Sequence, residues 1–380
     1  MIADKLKHIP PSGIRKYFDM VIGMDDVISL GVGEPDFVTP WPIREACIYA
    51  LEKGYTSYTS NWGLIDLRNE ISLCIASDYQ VRYNPENQIL VTTGVSEALD
   101  LAIRATINPG DEVIIVEPCY VSYKPCVILA GGKPVVVATN MSNDFRVTPE
   151  QMGEKITKKT KAIIISYPNN PTGAVMGKKD LEGIADVAED HDLLVISDEV
   201  YDKLTYDGTH TCFSSLNGIY EKTILLNGFS KAYAMTGWRL GYAASTSEII
   251  AAMLKIHQYT MLCAPITAQM AAIEALKNVR DEMLAMVKEY DRRRRLIVKG
   301  LNDLGLDCFD PKGAFYAFPS IESTGMTSEE FAEGLLKKQK VAVVPGDVFG
   351  SSGKGFIRCS YAVSRREIKE ALDRIGAFLK

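Results

Sequence analysis

The sequence predicts an α/β fold, in which a large, mostly parallel seven-stranded sheet is flanked by helices and joined to a smaller α+β domain. Between residues 88 and 244, seven apolar, strand-like runs alternate with helical patterns, which is typical of βαβ units. Two of these runs, 135–137 and 163–165, are unbroken β-branched stretches, as expected of strands buried on both faces of a parallel sheet. Beyond residue 247 the pattern changes to long helices and short strands, which indicates the second domain.

The chain before residue 88 supplies one apolar run and two helices. The run at 28–32 leads into the string GVGEPD, which superficially resembles a dinucleotide-binding fingerprint. Asp36 stands in place of the third glycine and Pro35 prevents an immediate helix, so this interpretation fails and a nicotinamide-dependent dehydrogenase is disfavoured. Helices are predicted at 41–53, where Pro42 suits the first turn, and at 64–78, where apolar residues recur at helical spacing.

The central part of the chain supplies the large sheet. We predict strands at 89–91, 112–116, 134–137, 162–166, 193–197, 223–226 and 240–244. Helices are predicted between them at 96–105, 120–130 and 178–190, and a capping box at Thr148 opens a further one. Crossovers between parallel strands are right-handed, so the predicted core is doubly wound.

The C-terminal part contains a long predicted helix at 279–304 with four consecutive arginines, 292–295. This run could bind an anion, but a solvated or inter-domain helix face is the favoured interpretation. Short strands are predicted at 314–318, 341–344 and 356–360, and Thr327 and Ser364 open capping boxes. We therefore predict an N-terminal segment, 1–45, that belongs to the small domain, a large ligand-binding domain at 46–278, and a small C-terminal domain at 279–380.

Composition and charge disfavour several classes of function. The chain has 380 residues, of which 47% are hydrophobic, and a net charge of -6, which argues against a nucleic-acid partner. Its eight cysteines form no C-x-x-C pair and its four histidines show no metal-binding spacing, so no metal site is predicted. The sequence shows no signal-peptide pattern and no membrane-spanning run, and scattered cysteines are typical of a cytoplasmic protein.

The run SKAYAMTGWRLG at 230–241 carries the strongest chemical signal, and it follows the predicted strand 223–226. Lys231 therefore lies at a strand end, where α/β proteins bind ligands. Apolar neighbours should depress the pKa of its amine and expose a nucleophile that can condense with an aldehyde. Arg239 carries a guanidinium suited to holding a phosphate bidentately. The alternative, a surface lysine with an arginine in an ordinary ion pair, is disfavoured for the whole string.

Further segments at predicted strand ends could serve the same ligand. The turn around Gly94 opens a helix, whose free N–H groups can bind phosphate. Asp198 ends an apolar strand and Arg358 lies inside one; either charge would be costly to bury without a partner of opposite sign. Tyr120 could stack on a flat ring or simply pack in the core. Asn170 is held extended by the proline after it, so its amide could point at a ligand.

These motifs, in this order, resemble those of the class I aminotransferases, the fold type I enzymes that use pyridoxal 5'-phosphate (PLP), over about residues 28–379. The resemblance is strongest to the branch of aspartate, aromatic and N-acetyl-diaminopimelate aminotransferases. It implies that Lys231 forms a Schiff base with PLP, that Asp198 keeps the pyridine nitrogen protonated, and that Tyr201 meets the ring oxygen. The other cofactor-binding residues that it implies are Gly94, Val95, Ser96, Tyr120, Asn170, Ser230 and Arg239, with Tyr58 from the neighbouring subunit. The substrate-binding residues that it implies are Gly33, Tyr120, Asn170 and Arg358.

Two positions depart from the family pattern. Tyr120 stands where members often have tryptophan, which leaves substrate preference open. Gly228, three residues before Lys231, stands where some members have a phosphate-binding serine, which leaves cofactor affinity open.

The resemblance implies a ping-pong transfer of an amino group from an L-amino acid to a 2-oxo acid, with 2-oxoglutarate as the expected acceptor. The expected enzyme is a cytoplasmic homodimer that shares its sites through Tyr58. A C–S β-lyase or a decarboxylase on the same fold stays open, because these reactions share their first steps with transamination. A ligand-sensing module is disfavoured, because such relatives carry an added DNA-binding domain and we expect the N-terminal extension here to be too short for one. The donor is left open, with the hypothesis that Arg15 or Lys16 closes over the substrate and meets a distal carboxylate.

Overall fold

A computed structural model describes residues 2–380 of the chain. Within that range, its twelve strands are β1 (Ile28–Ser29), β2 (Ile89–Thr92), β3 (Glu112–Glu117), β4 (Lys133–Ala138), β5 (Thr160–Ile165), β6 (Leu194–Asp198), β7 (Thr223–Gly228), β8 (Gly241–Ala244), β9 (Tyr316–Ala317), β10 (Val341–Ala342), β11 (Val344–Pro345) and β12 (Ile357–Ser360).

Twelve α-helices accompany these strands over the same residues. They are α1 (Gly13–Val21), α2 (Trp41–Glu52), α3 (Ile65–Tyr79), α4 (Val95–Thr106), α5 (Tyr123–Leu129), α6 (Pro149–Gly153), α7 (Lys178–Asp190), α8 (Ser247–Thr260), α9 (Ile266–Asn278), α10 (Arg280–Asp303), α11 (Ser328–Gln339) and α12 (Arg365–Phe378). None of the helices described between residues 2 and 380 has the length and apolar character needed to cross a membrane.

The central sheet has seven strands in the order β2-β8-β7-β6-β5-β3-β4. All neighbours are parallel except β8, which runs antiparallel to both β2 and β7. The predicted mostly parallel seven-stranded sheet is therefore confirmed. Its C-terminal edge gathers the residues that follow β3, β5, β6 and β7, and this is the edge where a ligand site is expected.

Alternating side chains of the central strands enter two separate cores. Ile163 and Ile165 of β5 belong to the cluster that includes Leu181 of α7. Ile164 between them belongs to the cluster that includes Leu99 of α4 and others from α8. Because successive side chains of a strand point to opposite faces, a strand covered on both sides needs apolar residues at every position. This accounts for the unbroken β-branched runs of the sequence.

Two small sheets connect the ends of the chain. β1 pairs in parallel with β10, and β11, β12 and β9 form an antiparallel sheet. The single strand predicted at 341–344 is wrong, because the chain changes sheets at Val343: β10 pairs with β1, whereas β11 pairs with β12. We propose that residues 1–45 and 279–380 form one small domain beside a large domain at 46–278, and the β1–β10 pairing supports this division.

The helix ends follow local sequence signals. Reciprocal capping boxes are present at Thr148, Thr327 and Ser364, as predicted. The helix predicted at 120–130 begins only at Tyr123; residues 120–122 form a turn that faces a cavity instead.

The four consecutive arginines of α10 divide into an exposed and a buried pair. Arg292 and Arg295 are about two-thirds exposed. Arg293 is buried and donates to Asp36 over 2.7 Å, and Arg294 is buried and pairs with acidic side chains that include Asp291. The run is therefore not an anion site: half of it is solvated, and the other half ties α10 to neighbouring loops.

Candidate active site

A cavity of about 660 Å³ lies at the C-terminal edge of the central sheet, between the start of α4 and helix α1. Eleven of the thirteen predicted site residues line it: Gly33, Val95, Ser96, Tyr120, Asn170, Asp198, Tyr201, Ser230, Lys231, Arg239 and Arg358. Gly94 precedes Val95 in the chain and lies against the Arg239 guanidinium. Tyr58 does not line this cavity, and its side chain is 83% exposed.

Lys231 projects into the cavity from the loop after β7. Its Nζ donates a hydrogen bond to the Gly33 carbonyl over 2.6 Å and lies 5.7 Å from the centre of the Phe315 ring. Burial lowers the pKa of Lys231 to about 8, the positive charges of Arg358 and Arg239 act in the same direction, and Glu34 opposes them. A larger share of this amine is therefore neutral and nucleophilic near pH 7 than for an exposed lysine.

Asp198 ends β6 at the floor of the cavity. One carboxylate oxygen, Oδ2, accepts a hydrogen bond from the Tyr123 hydroxyl over 2.8 Å, and Oδ1 accepts one from the Val200 N–H over 3.3 Å. Burial raises the pKa of Asp198 to about 6, and the Tyr123 hydrogen bond works against that rise. A buried carboxylate of this kind is suited to a cationic ligand atom, such as a protonated ring nitrogen.

The start of α4 and Arg239 form an anion cradle. Gly94 is the N-cap of α4 with φ +78°, and a Cβ there would lie 2.8 Å from Arg239 Nη2. The first N–H groups of a helix have no intrahelical partner and favour anions, so here they meet a guanidinium with no side chain between them. The side chains of Ser96 and Ser230 complete the lining.

Gly228 has no room for the serine found at this position in some family members. A Cβ on Gly228 would lie 2.9 Å from Val95 Cγ2 and 3.0 Å from the Gly241 Cα. Such contacts are tighter than ordinary van der Waals packing, and one of the two atoms belongs to the backbone. Close packing beneath the anion cradle therefore accounts for glycine, rather than serine, at position 228.

Arg358 of β12 is a buried cation without an acidic partner. Its side chain is 1% exposed and lies between the rings of Tyr316 and Phe349. Nη1 donates to Asn170 Oδ1 over 2.9 Å and Nη2 donates to the Gly31 carbonyl over 2.7 Å. Within residues 2–380, Nε has no hydrogen-bond partner and no carboxylate forms an ion pair with this guanidinium. A ligand carboxylate would supply the missing charge.

Sequence reasoning missed two tyrosines of the cavity, Tyr123 and Tyr316. The Tyr316 hydroxyl shares a 2.7 Å hydrogen bond with the Tyr201 hydroxyl, so Tyr201 is oriented from the small antiparallel sheet. Tyr316 occurs in an apolar stretch and Tyr123 lies within a predicted helix, and in both places core packing is the ordinary interpretation. The one available signal was the position of Tyr123, three residues after Tyr120.

Helix α1 covers the mouth of the cavity. Ile14, Tyr17 and Val21 line it together with Arg15. Lys16 lies elsewhere: its Nζ is 2.7 Å from Glu329 Oε1 on α11. Of the two cations named as candidates for a distal carboxylate, the structure therefore brings only Arg15 to the cavity.

The model of the family "Aminotransferase class I and II" matches residues 25–375 of the chain. The chain belongs to this family. The putative aminotransferase YugH of Bacillus subtilis is 56% identical, with 100% of this chain and 98% of that protein aligned. An aspartate aminotransferase of Pyrococcus abyssi is 48% identical, with 100% and 98% aligned. A probable N-acetyl-LL-diaminopimelate aminotransferase of B. subtilis is 40% identical, with 100% and 96% aligned.

A solved aromatic aminotransferase from Pyrococcus horikoshii superimposes with a TM-score of 0.91 at 46% identity, covering 96% of this chain and 98% of that one. These matches confirm the fold type I architecture and the predicted branch. The protein is a PLP-dependent aminotransferase.

The cavity of this aminotransferase fits PLP at three points. The cradle of α4 and Arg239 suits the phosphate, Asp198 suits the ring nitrogen, and the Lys231 amine suits the aldehyde. Between residues 2 and 380, no group of three or more His, Cys, Asp and Glu side chains could hold a metal ion.

Proposed function

We propose that this aminotransferase moves the amino group of an L-amino acid to 2-oxoglutarate in two half-reactions at one site. One observation carries the proposal: the buried Lys231 amine shares a single cavity with the buried Asp198 carboxylate and with the unpaired Arg358 guanidinium. Arg358 offers a binding point for the α-carboxylate that donor and acceptor have in common. One site can therefore serve both substrates in turn.

Arg358 and Asn170 are proposed to bind and orient the substrate. The 2.9 Å hydrogen bond between them fixes the amide beside the guanidinium, so both can contact one carboxylate. Because this arrangement is assembled before a ligand arrives, less side-chain entropy is lost on binding.

Lys231 is proposed as the acid–base group. PLP, when bound, supplies an electron sink for the carbanion that forms at the substrate α-carbon. The Lys231 amine would take the proton from the substrate α-carbon and, as the ammonium, would donate it on the cofactor side of the transferred nitrogen, while water would release the 2-oxo acid. Its lowered pKa suits both roles. Asp198 would hold the ring nitrogen of the bound cofactor and keep it protonated, and Tyr201 would donate a hydrogen bond to the ring oxygen.

For the substrate side chain we propose that Arg15 meets a distal carboxylate, while the apolar residues of α1 accept aromatic groups. The placement of Arg15 on the lining, beside Ile14 and Tyr17, supports this. Relatives named for aspartate and for aromatic amino acids agree with a site that takes both classes.

We further propose a cytoplasmic homodimer in which Tyr58 reaches the phosphate site of the neighbouring subunit. The exposure of Tyr58 supports a contact beyond its own subunit. The eight cysteines are all free thiols, which supports a reducing compartment.

A panel of amino donors with 2-oxoglutarate tests the function. The wild-type holoenzyme is expected to form glutamate and the matching 2-oxo acid, and Lys231→Ala should lower kcat by at least about 10³-fold because general acid–base transfer is removed. After borohydride reduction, the wild type should retain PLP covalently and the variant should not. Ammonia and pyruvate from a β-substituted donor, in place of glutamate, would establish the lyase alternative instead.

A further inference from the structure

Tyr123 is a buried side chain that contacts a residue of the reacting centre. It is the first residue of α5 and is 2% exposed. Its hydroxyl donates a 2.8 Å hydrogen bond to Asp198 Oδ2 from a position 75 residues earlier in the chain. The only other hydrogen bond to this carboxylate in the described residues is the longer one from the Val200 N–H. Tyr123 therefore provides the shorter of the two protein hydrogen bonds to Asp198.

The ring and the hydroxyl of Tyr123 make separate contacts. The ring meets that of Tyr120 edge to face, with centroids 5.7 Å apart and an interplanar angle of 79°. Tyr120 lines the cavity, and the family resemblance implies that it contacts the cofactor. The ring thus packs against Tyr120, which is predicted to contact the cofactor, while the hydroxyl contacts Asp198, which is predicted to bind the ring nitrogen. Phenylalanine at this position would keep the ring contact with Tyr120 and remove the contacts of the hydroxyl, with Asp198 and with the Ser166 side chain.

We propose that Tyr123 is a positioning residue, whose hydroxyl fixes one oxygen of Asp198 so that the carboxylate stays ionised and its remaining lone pairs are left for the cofactor ring nitrogen. The inference rests on the proposed role of Asp198. A charge-assisted hydrogen bond of this kind is about twice as strong as a neutral one, and it reaches a carboxylate that is otherwise desolvated.

The groups around Asp198 determine the sign of the expected pH effect. Burial and the nearby Glu199 carboxylate favour the neutral acid, whereas Tyr123, the Val200 N–H and Lys231 favour the ionised form. Cys119 also lies near the Tyr123 hydroxyl. Removing the hydroxyl takes away a hydrogen bond that lowers the pKa of Asp198, so that pKa must rise. The acid limb of the kcat/KM profile should then move to higher pH.

The test compares Tyr123→Phe with Tyr167→Phe. Tyr167 is also buried and its hydroxyl donates to the Phe145 carbonyl over 2.9 Å, away from Asp198. Tyr123→Phe should weaken PLP binding to the apoenzyme roughly tenfold in equilibrium dialysis, lower kcat roughly tenfold with KM within about twofold, and shift the acid limb upward. Tyr167→Phe should leave all three unchanged.

A double-mutant cycle with Asp198→Asn separates this inference from the proposed function. With Asp198 already replaced, Tyr123→Phe should add little to the loss of PLP affinity, because the charged acceptor is gone. If Asp198→Asn is inactive but folded Tyr123→Phe keeps the wild-type affinity and pH profile, the role of Tyr123 is refuted and that of Asp198 stands. If Asp198→Asn itself keeps full activity and PLP affinity, both are refuted. Equal losses from Tyr123→Phe in both backgrounds would show packing alone and also overturn the inference.

Discussion

The burial of Asp198 and Lys231 lowers the stability of the folded protein. Burial raises the pKa of Asp198 to about 6, so between about pH 4 and pH 6 the folded protein holds the Asp198 proton more tightly than the unfolded chain does. The free energy of unfolding therefore falls as the pH rises through this range. Burial lowers the pKa of Lys231 to about 8, so its unfavourable contribution is fully present below pH 8 and is relieved as pH rises toward 10.5. Near pH 7 both charges destabilise the fold, by on the order of 3 kcal/mol each.

Arg15→Ala should change substrate preference rather than chemistry. Losing a guanidinium that meets a distal carboxylate should raise KM for aspartate roughly tenfold, while KM for aromatic donors changes by less than about twofold. Steady-state kinetics with both donor classes measures the split.

Lys16→Ala is the matched control for Arg15→Ala, because each of the two neighbouring cations of α1 has an acidic partner, Asp19 for Arg15 and Glu329 for Lys16, but of the two only Arg15 lines the cavity. Its KM values for both donor classes should stay close to those of the wild type. The assignment of Arg15 is wrong if its variant raises KM equally for acidic and aromatic donors, or for neither.

Arg293 is expected to anchor the loop at 33–37 to α10. It donates to Asp36, and its guanidinium lies 4.9 Å from the Phe37 ring centre. Since Gly33 of this loop accepts the hydrogen bond from Lys231, the anchor also supports the site. Arg293→Gln should lower the free energy of unfolding by about 2–4 kcal/mol, because it leaves Asp36 without its buried partner. Urea denaturation measures the change.

Arg292→Gln provides the comparison at the neighbouring position. Arg292 is two-thirds exposed, and its ion-pair contact in the part of the chain that the structure describes is the 3.5 Å one with Glu289, so its loss should lower the free energy of unfolding by less than about 0.5 kcal/mol. Similar losses for Arg292 and Arg293 would contradict the division of the four arginines into solvated and anchoring pairs.

The strands of the central sheet were predictable because each one is marked by a run of apolar residues in its own sequence. A run such as 163–165 must be apolar at every position when both faces of its strand are covered. The change of sheet at Val343 was not predictable, because residues 341–344 are apolar whichever sheet they join. The role of Tyr123 was hidden for a related reason: its partner Asp198 is 75 residues away, and the spacing of three residues from Tyr120 does not by itself distinguish it from a core tyrosine.

At the scale of the whole molecule, exposed apolar side chains mark a candidate surface for the proposed homodimer. Tyr58, Tyr259 and Met261 are all more than half exposed. Asn61, near Tyr58, donates a hydrogen bond to the Leu262 carbonyl over 2.6 Å, which brings these two loops together. Unpaired aromatic and apolar groups gathered on one surface are typical of a protein–protein interface.

If Tyr58 reaches the phosphate of the neighbouring subunit as proposed, Tyr58→Phe should raise the dissociation constant for PLP roughly tenfold without separating the subunits, because one hydrogen bond to a charged phosphate is lost while the apolar ring remains. Sedimentation equilibrium of the holoenzyme, combined with a PLP titration, measures both properties. A monomer with full activity, or a dimer whose PLP affinity ignores the substitution, would contradict the shared site.

The contrast between the two ends of the cavity has a consequence for how such an enzyme can diversify. At the phosphate end, a Cβ at Gly94 or Gly228 would lie within 3.0 Å of neighbouring atoms, so substitution there requires those neighbours to move. At the mouth, single side chains of α1 such as Ile14 and Arg15 form the wall, and each can be exchanged without disturbing a strand. New substrate specificities should therefore arise by mutation of α1, and a directed-evolution library confined to this helix is the efficient way to obtain them.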